Sequence, residues 1–282
     1  MRINLNFIIP TNWAHYQALR EVVIYFDHFL SRMGHEVLIS KNYFNPRCLN
    51  IVFFSFLLPK EIKIPIGTII YQSEDLSKTT SWIFEGEKGK RYFEILQNNT
   101  VIDYSEFNLQ YIEHQNKSYL PLLNCEKLVS SFARKERDYL LFYGCITNYR
   151  EKILDQISKI HKIIIITPES HGDYGFLRDK LIMESIGVLN LHKEENCNVL
   201  EIARCFYPMI NNVPVFSETV IGYEKLEFYK DSIFFFKKSS INDFSDLIND
   251  FGKKKIEYLK KIEKFNQINA FEIFKKNILR FI

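Results

Sequence analysis

Short apolar runs alternate with segments of helical spacing along almost the whole chain, and this limits the fold more than any other feature. Residues 3–9 read as a buried strand. From 17 to 33, Leu19, Val22, Val23, Phe26, Phe29, Leu30 and Met33 recur at helical spacing and leave one apolar stripe. Gly34 tolerates the left-handed dihedrals that end a helix, and 36–39 resumes as strand. Strand, helix and strand joined by short connections imply parallel pairing. Runs at 50–54, 68–71 and 101–104 are nearly all apolar, as strands covered on both faces are. Helices are expected at 91–97 and 106–114, and one more strand at 118–122.

The charged, mixed segment 124–138 breaks this rhythm, and a second alternation follows it. Strands are expected at 139–143, 163–166, 188–191, 213–216 and 232–236. Helices are expected at 149–160, 174–183, 199–210 and 243–249. A basic amphipathic helix, or pair of helices, completes the chain. The expected organisation is one α/β domain over 1–130, a second over 138–255, and a C-terminal basic amphipathic helix over 256–282.

At 282 residues and 46% hydrophobic content, the chain can fill two such cores. Its net charge of +3 lacks the basic excess of a dedicated nucleic-acid binder. The late lysines, Lys253 to Lys255 with Lys260 and Lys261, read first as a solvated helix face. They are also the candidate for peripheral contact with an anionic membrane. Five cysteines without a CxxC pair suggest neither a disulfide framework nor a zinc site. The opening apolar run is short for a signal peptide, and no run approaches the ~20 residues that span a bilayer. The expected location is the cytoplasm, with the basic helix able to touch the inner membrane face.

Open parallel sheets bind ligands beyond the carboxyl ends of their strands, so the loops there hold the candidate site residues. In LFYGCITNYR (141–150), Gly144 lets a ligand approach the backbone, and Thr147 and Asn148 lead into a helix start that attracts phosphate. Arg150 could add a bidentate contact, although a plain turn with an exposed arginine reads equally well. No GxGxxG or GxxxxGK[ST] occurs. The 167–179 loop offers Gly175 and a surface His171, which with Asp173 lacks metal-ligand spacing.

The segment 190–204 is the most specific. His192 ends a strand, Asn198 is an N-cap candidate, and Glu201 three residues on would complete a capping box. Arg204 shares a helix face with Glu201 inside an apolar run. A buried arginine needs an anion, and Glu201, Glu218 or a ligand diphosphate could each supply it. Pro208 should kink or shorten that helix. His15 follows the first strand, where a general base could meet an acceptor hydroxyl. Glu74, Asp75 and the 103–108 loop read more simply as turn and capping residues.

The succession YQSEDLS, VIDYSEFN, LPLLN, LFYGCITNYREKIL, HGDYGFLRDKL, VLNLH and NVLEIARCFYPMINNVPVFSE, over about 65–240, resembles small bacterial and viral glycosyltransferase-like proteins. These are distant relatives of the nucleotide-sugar glycosyltransferases of GT-B architecture. The resemblance implies an α/β chain of two Rossmann-like domains whose parallel sheets face across a cleft, followed by a C-terminal helix. The N-terminal domain would bind the acceptor and the second domain a nucleoside-diphosphate sugar. Leu200 to Ala203 before Val213-Pro214-Val215 matches the segment that places an acid on the donor ribose, so Glu201 inherits that role. Gly144 to Asn148 matches the diphosphate loop, Ser217-Glu218 matches a recurrent strand end, and Arg150 and Arg204 match basic positions facing phosphate. Glu194 and Glu201 stand one position closer than the family's paired-glutamate motif.

The expected activity is metal-independent transfer of a sugar from a nucleoside-diphosphate donor to a glycan, lipid or protein acceptor, with no separate cofactor. His15, Arg150 and Arg204 would be catalytic. Gly144, Thr147, Asn148, Gly175, His192, Asn198, Glu201 and Glu218 would hold the donor. Glycosylation of modified DNA bases and non-catalytic binding of a sugar nucleotide are the alternatives.

Overall fold

A computed structural model describes residues 1–11, 13–77, 86–168 and 174–282. The chain divides into two compact units, Met1–Leu122 with Asn269–Ile282, and Leu123–Ile268.

Unit one is built on a six-stranded, wholly parallel sheet in the order β2-β1-β3-β4-β5-β6. Its strands are β1 (Arg2–Phe7), β2 (Glu36–Lys41), β3 (Leu49–Phe53), β4 (Ile69–Gln72), β5 (Thr100–Asp103) and β6 (Lys117–Tyr119). Its helices include α1 (Arg20–Arg32), α2 (Gly86–Asn98) and the short α3 (Glu106–Leu109). Ile3, Leu5 and Phe7 alternate with Asn4 and Asn6 along β1, and both faces are buried. Both amides are hydrogen-bonded, although Asn6 Nδ2 is buried with no partner among the described residues. Asn4 donates to Asn50 at 2.8 Å, and the Asn6 oxygen accepts from the Tyr43 amide at 3.0 Å.

The stripe from Leu19 to Leu30 is buried as the spacing requires. Gly34, at φ +84, ends α1, with the His35 amide reaching back to the Leu30 carbonyl at 3.1 Å. The helix expected over 106–114 stops at Leu109. The Asn108 side chain bonds the Glu74 carbonyl and the Leu76 amide, which holds the chain against the β4 loop.

Unit two carries a five-stranded parallel sheet in the order β11-β10-β9-β7-β8. Its elements follow in sequence as β7 (Leu140–Tyr143), α4 (Asn148–Ser158), β8 (Ile163–Ile166), α5 (Phe176–Glu184), β9 (Gly187–Asn190), α6 (Ile202–Ile210), β10 (Val215–Glu218), β11 (Phe234–Phe236) and α7 (Ile241–Asn266). The helix expected over 243–249 and the first part of the tail are one element, α7, kinked where Lys254 leaves helical geometry. Lysines of α7 lie against acids: Lys254 meets Asp250 at 2.8 Å, and Lys255 meets Glu136. A final helix, α8 (Ala270–Ile278), belongs to unit one, where Phe274 packs on Tyr25, Phe26 and Phe29. Among the described residues, no helix is long and apolar enough to cross a membrane.

Candidate functional site

The strand order of unit two decides where a site can form. From β7 the chain passes to β8 on one side and later to β9 on the other. The loops leaving β7 and β9 therefore diverge and open a crevice beyond the carboxyl ends of these strands. Gly144 begins the first loop at φ +132, a conformation that L side chains rarely adopt. A Cβ there would also stand 3.0 Å from an Arg204 guanidinium nitrogen. The position is glycine for both reasons.

Two arginines converge on one carboxylate in this crevice. Arg150 comes from the first turn of α4 and is 3% exposed. It donates to the Leu191 carbonyl through Nε (3.0 Å) and Nη2 (2.9 Å), and to the Cys145 carbonyl through Nη1 (2.9 Å). It also pairs with Glu201 at 2.9 Å. Arg204 comes from the first turn of α6, meets Glu201 at 2.7 Å, and donates to the Asn190 side chain at 3.0 Å. Both guanidinium carbons lie over the Phe142 ring, at 5.6 and 5.7 Å from its centroid. Burial pushes the Glu201 carboxyl up, but Arg204 and Arg150 outweigh it and hold the group below the usual carboxylate range. Burial alone would weaken the Arg204 charge, yet Glu201 raises its pKa above the ordinary value. Burial lowers the pKa of Arg150, with Glu201 opposing.

The helix that carries Arg204 contains Pro208, which has no N–H for the carbonyl four residues before it. That carbonyl belongs to Arg204, and the Tyr143 hydroxyl, from the end of β7, donates to it at 2.8 Å. The helix begins at Ile202 with Glu201 in the cap position and no side-chain cap bond. The expected start at Asn198 and its capping box therefore do not form. The 195–197 stretch is held in coil, with the Lys238 ammonium donating to the Glu195 carbonyl at 3.1 Å and to the Cys197 carbonyl. The Glu201 carboxylate is given to arginines instead of the helix amides.

His192 and Glu218 lie in the same wall and are fully buried. His192 Nε2 bonds the Thr219 carbonyl at 3.1 Å, which requires the proton on that nitrogen. Nδ1 is then a bare acceptor, buried without a hydrogen-bond partner among the described residues. Burial lowers the His192 pKa and favours the neutral ring. Glu218 accepts from the His192 amide (2.8 Å), the Tyr149 hydroxyl (2.6 Å) and the Ser239 amide (3.1 Å). It is an internal strut tying β9, α4 and the loop after β11. Thr147 caps α4 by accepting from the Arg150 amide at 3.3 Å, and donates to the Lys193 carbonyl at 2.7 Å, joining the two crevice loops.

The remaining candidates lie elsewhere in their units. Gly175 precedes α5 at φ +81, Asn198 sits in the coil before Glu201, and Asn148 opens α4 just after its cap, Thr147. His15 lies in a 3-10 turn of unit one, its ring 5.7 Å from that of Trp13. His171 and Asp173 fall outside the described residues. Asp75 caps its own turn by accepting from the Ser77 amide at 2.9 Å. Asp103 is buried between the Gln72 side chain and the Ser105 amide, and burial raises its pKa to about 8. Among the described residues, no group of three potential ligands could hold a metal ion.

No protein-family model matches the chain. Two curated relatives come from Acanthamoeba polyphaga mimivirus. Uncharacterized protein L140 is 28% identical over 147 residues, 49% of this chain and 47% of the relative. Uncharacterized protein L137 is 29% identical over 174 residues, 59% of this chain and 22% of the relative. The match thus spans about half the length of one relative and about a fifth of the other. Solved structures match over nearly the full chain. Sucrose-phosphate synthase from Thermosynechococcus elongatus aligns with a TM-score of 0.62 at 10% identity, covering 99% of this chain and 98% of that one. WaaG, a glycosyltransferase involved in lipopolysaccharide biosynthesis, aligns at 0.56 and 9% over 98% of each chain. Anabaena HepE in complex with UDP aligns at 0.56 and 10%, over 100% and 97%. Two parallel sheets, their order and these alignments together show that the chain has the GT-B fold that these glycosyltransferase structures share.

Proposed function

We propose that unit two binds the diphosphate of a sugar nucleotide in the β7–β9 crevice, and that the chain transfers the sugar to an acceptor. The observation that carries this reading is one carboxylate shared by two buried guanidiniums beside a glycine at φ +132. Two cations against one anion leave surplus positive charge where the backbone is bare enough for phosphate oxygens to approach.

The roles divide by exposure. Arg204 keeps 13% of its side-chain surface and faces the diphosphate, while Arg150, at 4%, positions Glu201 and the loops. Glu201 keeps 29% and offers its remaining lone pairs to ribose hydroxyls. His192 and Glu218 shape the wall. In the reaction the bond from the sugar's anomeric carbon to phosphate breaks and the diphosphate keeps the electron pair. The acceptor oxygen bonds that carbon and gives its proton to a base. Stabilising charge on the leaving group is typically worth ~2.7–4 kcal/mol per well-placed donor.

Thermal-shift titration with UDP and UDP-glucose tests this. A bound nucleotide at a hundred times its dissociation constant stabilises by about 2.7 kcal/mol. Arg204→Ala should lose about 3 kcal/mol of stability, the low end for a buried pair given the exposure of Glu201. It should also lose roughly 10²–10³-fold in turnover at temperatures where it stays folded. If no nucleotide sugar shifts the melting curve, the proposal fails. Binding without transfer or hydrolysis would make the chain a sugar-nucleotide sensor.

A further inference from the structure

At the donor crevice the chain breaks its own capping signal. Asn198 and Glu201 stand at the spacing of a capping box, yet α6 begins only at Ile202, with Glu201 in the cap position and no side-chain cap bond. Local rules that fail in a folded chain tend to fail where function or strain prevails. What prevails here comes from the edge of the same sheet.

Residues 237–240 join β11 to α7. This loop is fixed at its base. The Asp243 carboxylate accepts from the Lys237 amide at 2.7 Å, and the Ser240 hydroxyl accepts from the Asp243 amide at 3.3 Å. Ser239 holds φ 56, uncommon for a residue with a side chain. Its amide donates to Glu218 at 3.1 Å, and its hydroxyl meets that of Tyr149 at 3.1 Å. Lys238 is half-buried, and its ammonium donates to the Glu195 carbonyl at 3.1 Å and to the Cys197 carbonyl. Two charge-assisted bonds from an anchored loop thus pin the chain just before Asn198.

The pin decides where α6 can start. Residues 198–201 reach up to ~13 Å when extended but only ~6 Å as helix. A helix can take them up only by drawing 195–197 along, and Lys238 resists that. An earlier start would put Glu201 inside α6. It could still pair with Arg204 on the same helix, but it would turn from Arg150, which reaches it from α4.

We propose that Lys238 is a positioning residue of the donor site. By holding the Glu195 and Cys197 carbonyls, it denies α6 the earlier start at Asn198 and keeps Glu201 where Arg150 and Arg204 both reach it. Its effect on a bound nucleotide rests on the donor reading of the crevice, and its effect on Glu201 does not.

Lys238→Met keeps the aliphatic stem and removes the ammonium, and Lys238→Arg restores a charged donor. Circular dichroism and thermal melting check that both fold, and Lys238→Gln takes the same measurements if Lys238→Met does not. In ligand-free chain, isotope-labelled at the glutamate carboxyls for NMR, the Glu201 signal is the one missing from Glu201→Gln. It should titrate at higher pH in Lys238→Met than in the parent, because Arg150 is lost to it, and return in Lys238→Arg. Beyond burial, the charges that act most on this carboxyl are those of Arg204, Arg150, His192 and Lys193. The shift therefore reports a displaced carboxylate and not the missing lysine. The Cα shifts of 198–201 should move to helical values in the same variant. UDP should bind Lys238→Met about tenfold more weakly than the parent, the worth of one hydrogen bond to a charged group, and bind Lys238→Arg nearly as the parent does. An unchanged Glu201 titration, unchanged Cα shifts, or an unchanged affinity for UDP each overturns the role of Lys238. If UDP does not bind the parent, the donor reading falls, and the ligand-free spectra alone decide Lys238.

Discussion

The two units build the same kind of crevice and furnish it differently. In unit one β1 lies between β2 and β3, and in unit two β7 lies between β8 and β9. Each sheet therefore parts its loops at one strand end. In unit two that place holds Arg150, Arg204 and Glu201. In unit one it holds rings. Phe7 stacks on Phe53 at 5.3 Å, and Trp13 meets Phe54 edge-on at 4.9 Å. Phe54 itself sits at φ 59, where a bulky residue is strained. Neutral amides, Asn4, Asn6 and Asn50, are buried along β1 and β3, and the buried charge at the start of α1 is an acid, Glu21. Topology supplies the location, and side chains alone decide whether it suits an anion.

Substitutions can break this contrast. Glu201→Ala should have the largest effect, because it strips the counter-charge from two buried guanidiniums. A loss of about 3–5 kcal/mol should appear in urea unfolding of unit two, and Glu201→Gln should lose less. If both variants melt like the parent, the ionic crevice contributes nothing to the fold. Gly144→Ala comes next. It meets both an unfavourable φ and the Arg204 guanidinium at 3.0 Å, and should cost about 2 kcal/mol.

The charge contrast also predicts opposite pH behaviour. Asp103, buried in unit one, has its pKa raised to about 8. The folded form keeps a proton that the unfolded chain gives up near 4. Stability of unit one is then complete below pH 4 and falls as pH rises toward 8, by up to ~1.4 kcal/mol per pH unit. Asp75 faces Asp103 and adds to the upward shift, while the Ser105 amide, Gln72 and Asn108 oppose it. Denaturation between pH 5 and 9 should show the slope, and Asp103→Asn should flatten it. Glu201 shifts the other way and loses its contribution only in acid, as pH falls through its lowered pKa. The smallest effect belongs to Gly34→Ala. Gly34 has positive φ, but none of the described residues lies within 4 Å of its missing Cβ. It should cost about 1 kcal/mol, and a loss equal to that of Gly144→Ala would show that crowding by Arg204 adds nothing.

Much of the fold is legible in the sequence because its signals are local. The run Ile163–Ile166 is β8 as spaced, and Gly34 ends α1 as expected. The spatial order of the strands is not local, and with it goes the position of the crevice. The kinship of Glu201 and Arg204 is readable from their spacing on one helix. The arrival of Arg150 at the same carboxylate is not, because it crosses from another element. Asn198 reads as a cap by its type, yet the grip of Lys238 on the Glu195 and Cys197 carbonyls keeps that stretch out of the helix. Glu218 reads as a ligand contact at a strand end. In the folded chain its oxygens accept from Tyr149, Ser239 and the His192 amide, partners scattered over some ninety positions.

One carboxylate set between two guanidiniums has a lasting consequence. Neither arginine gives up its proton under physiological conditions, and the acid between them surrenders its charge only at acidity that few cells meet. The hollow at the end of β7 therefore keeps two guanidiniums against the one carboxylate they share. A visiting anion would feel the same pull in a sour compartment as in an alkaline one, and control over its coming and going must be exercised by something other than protons.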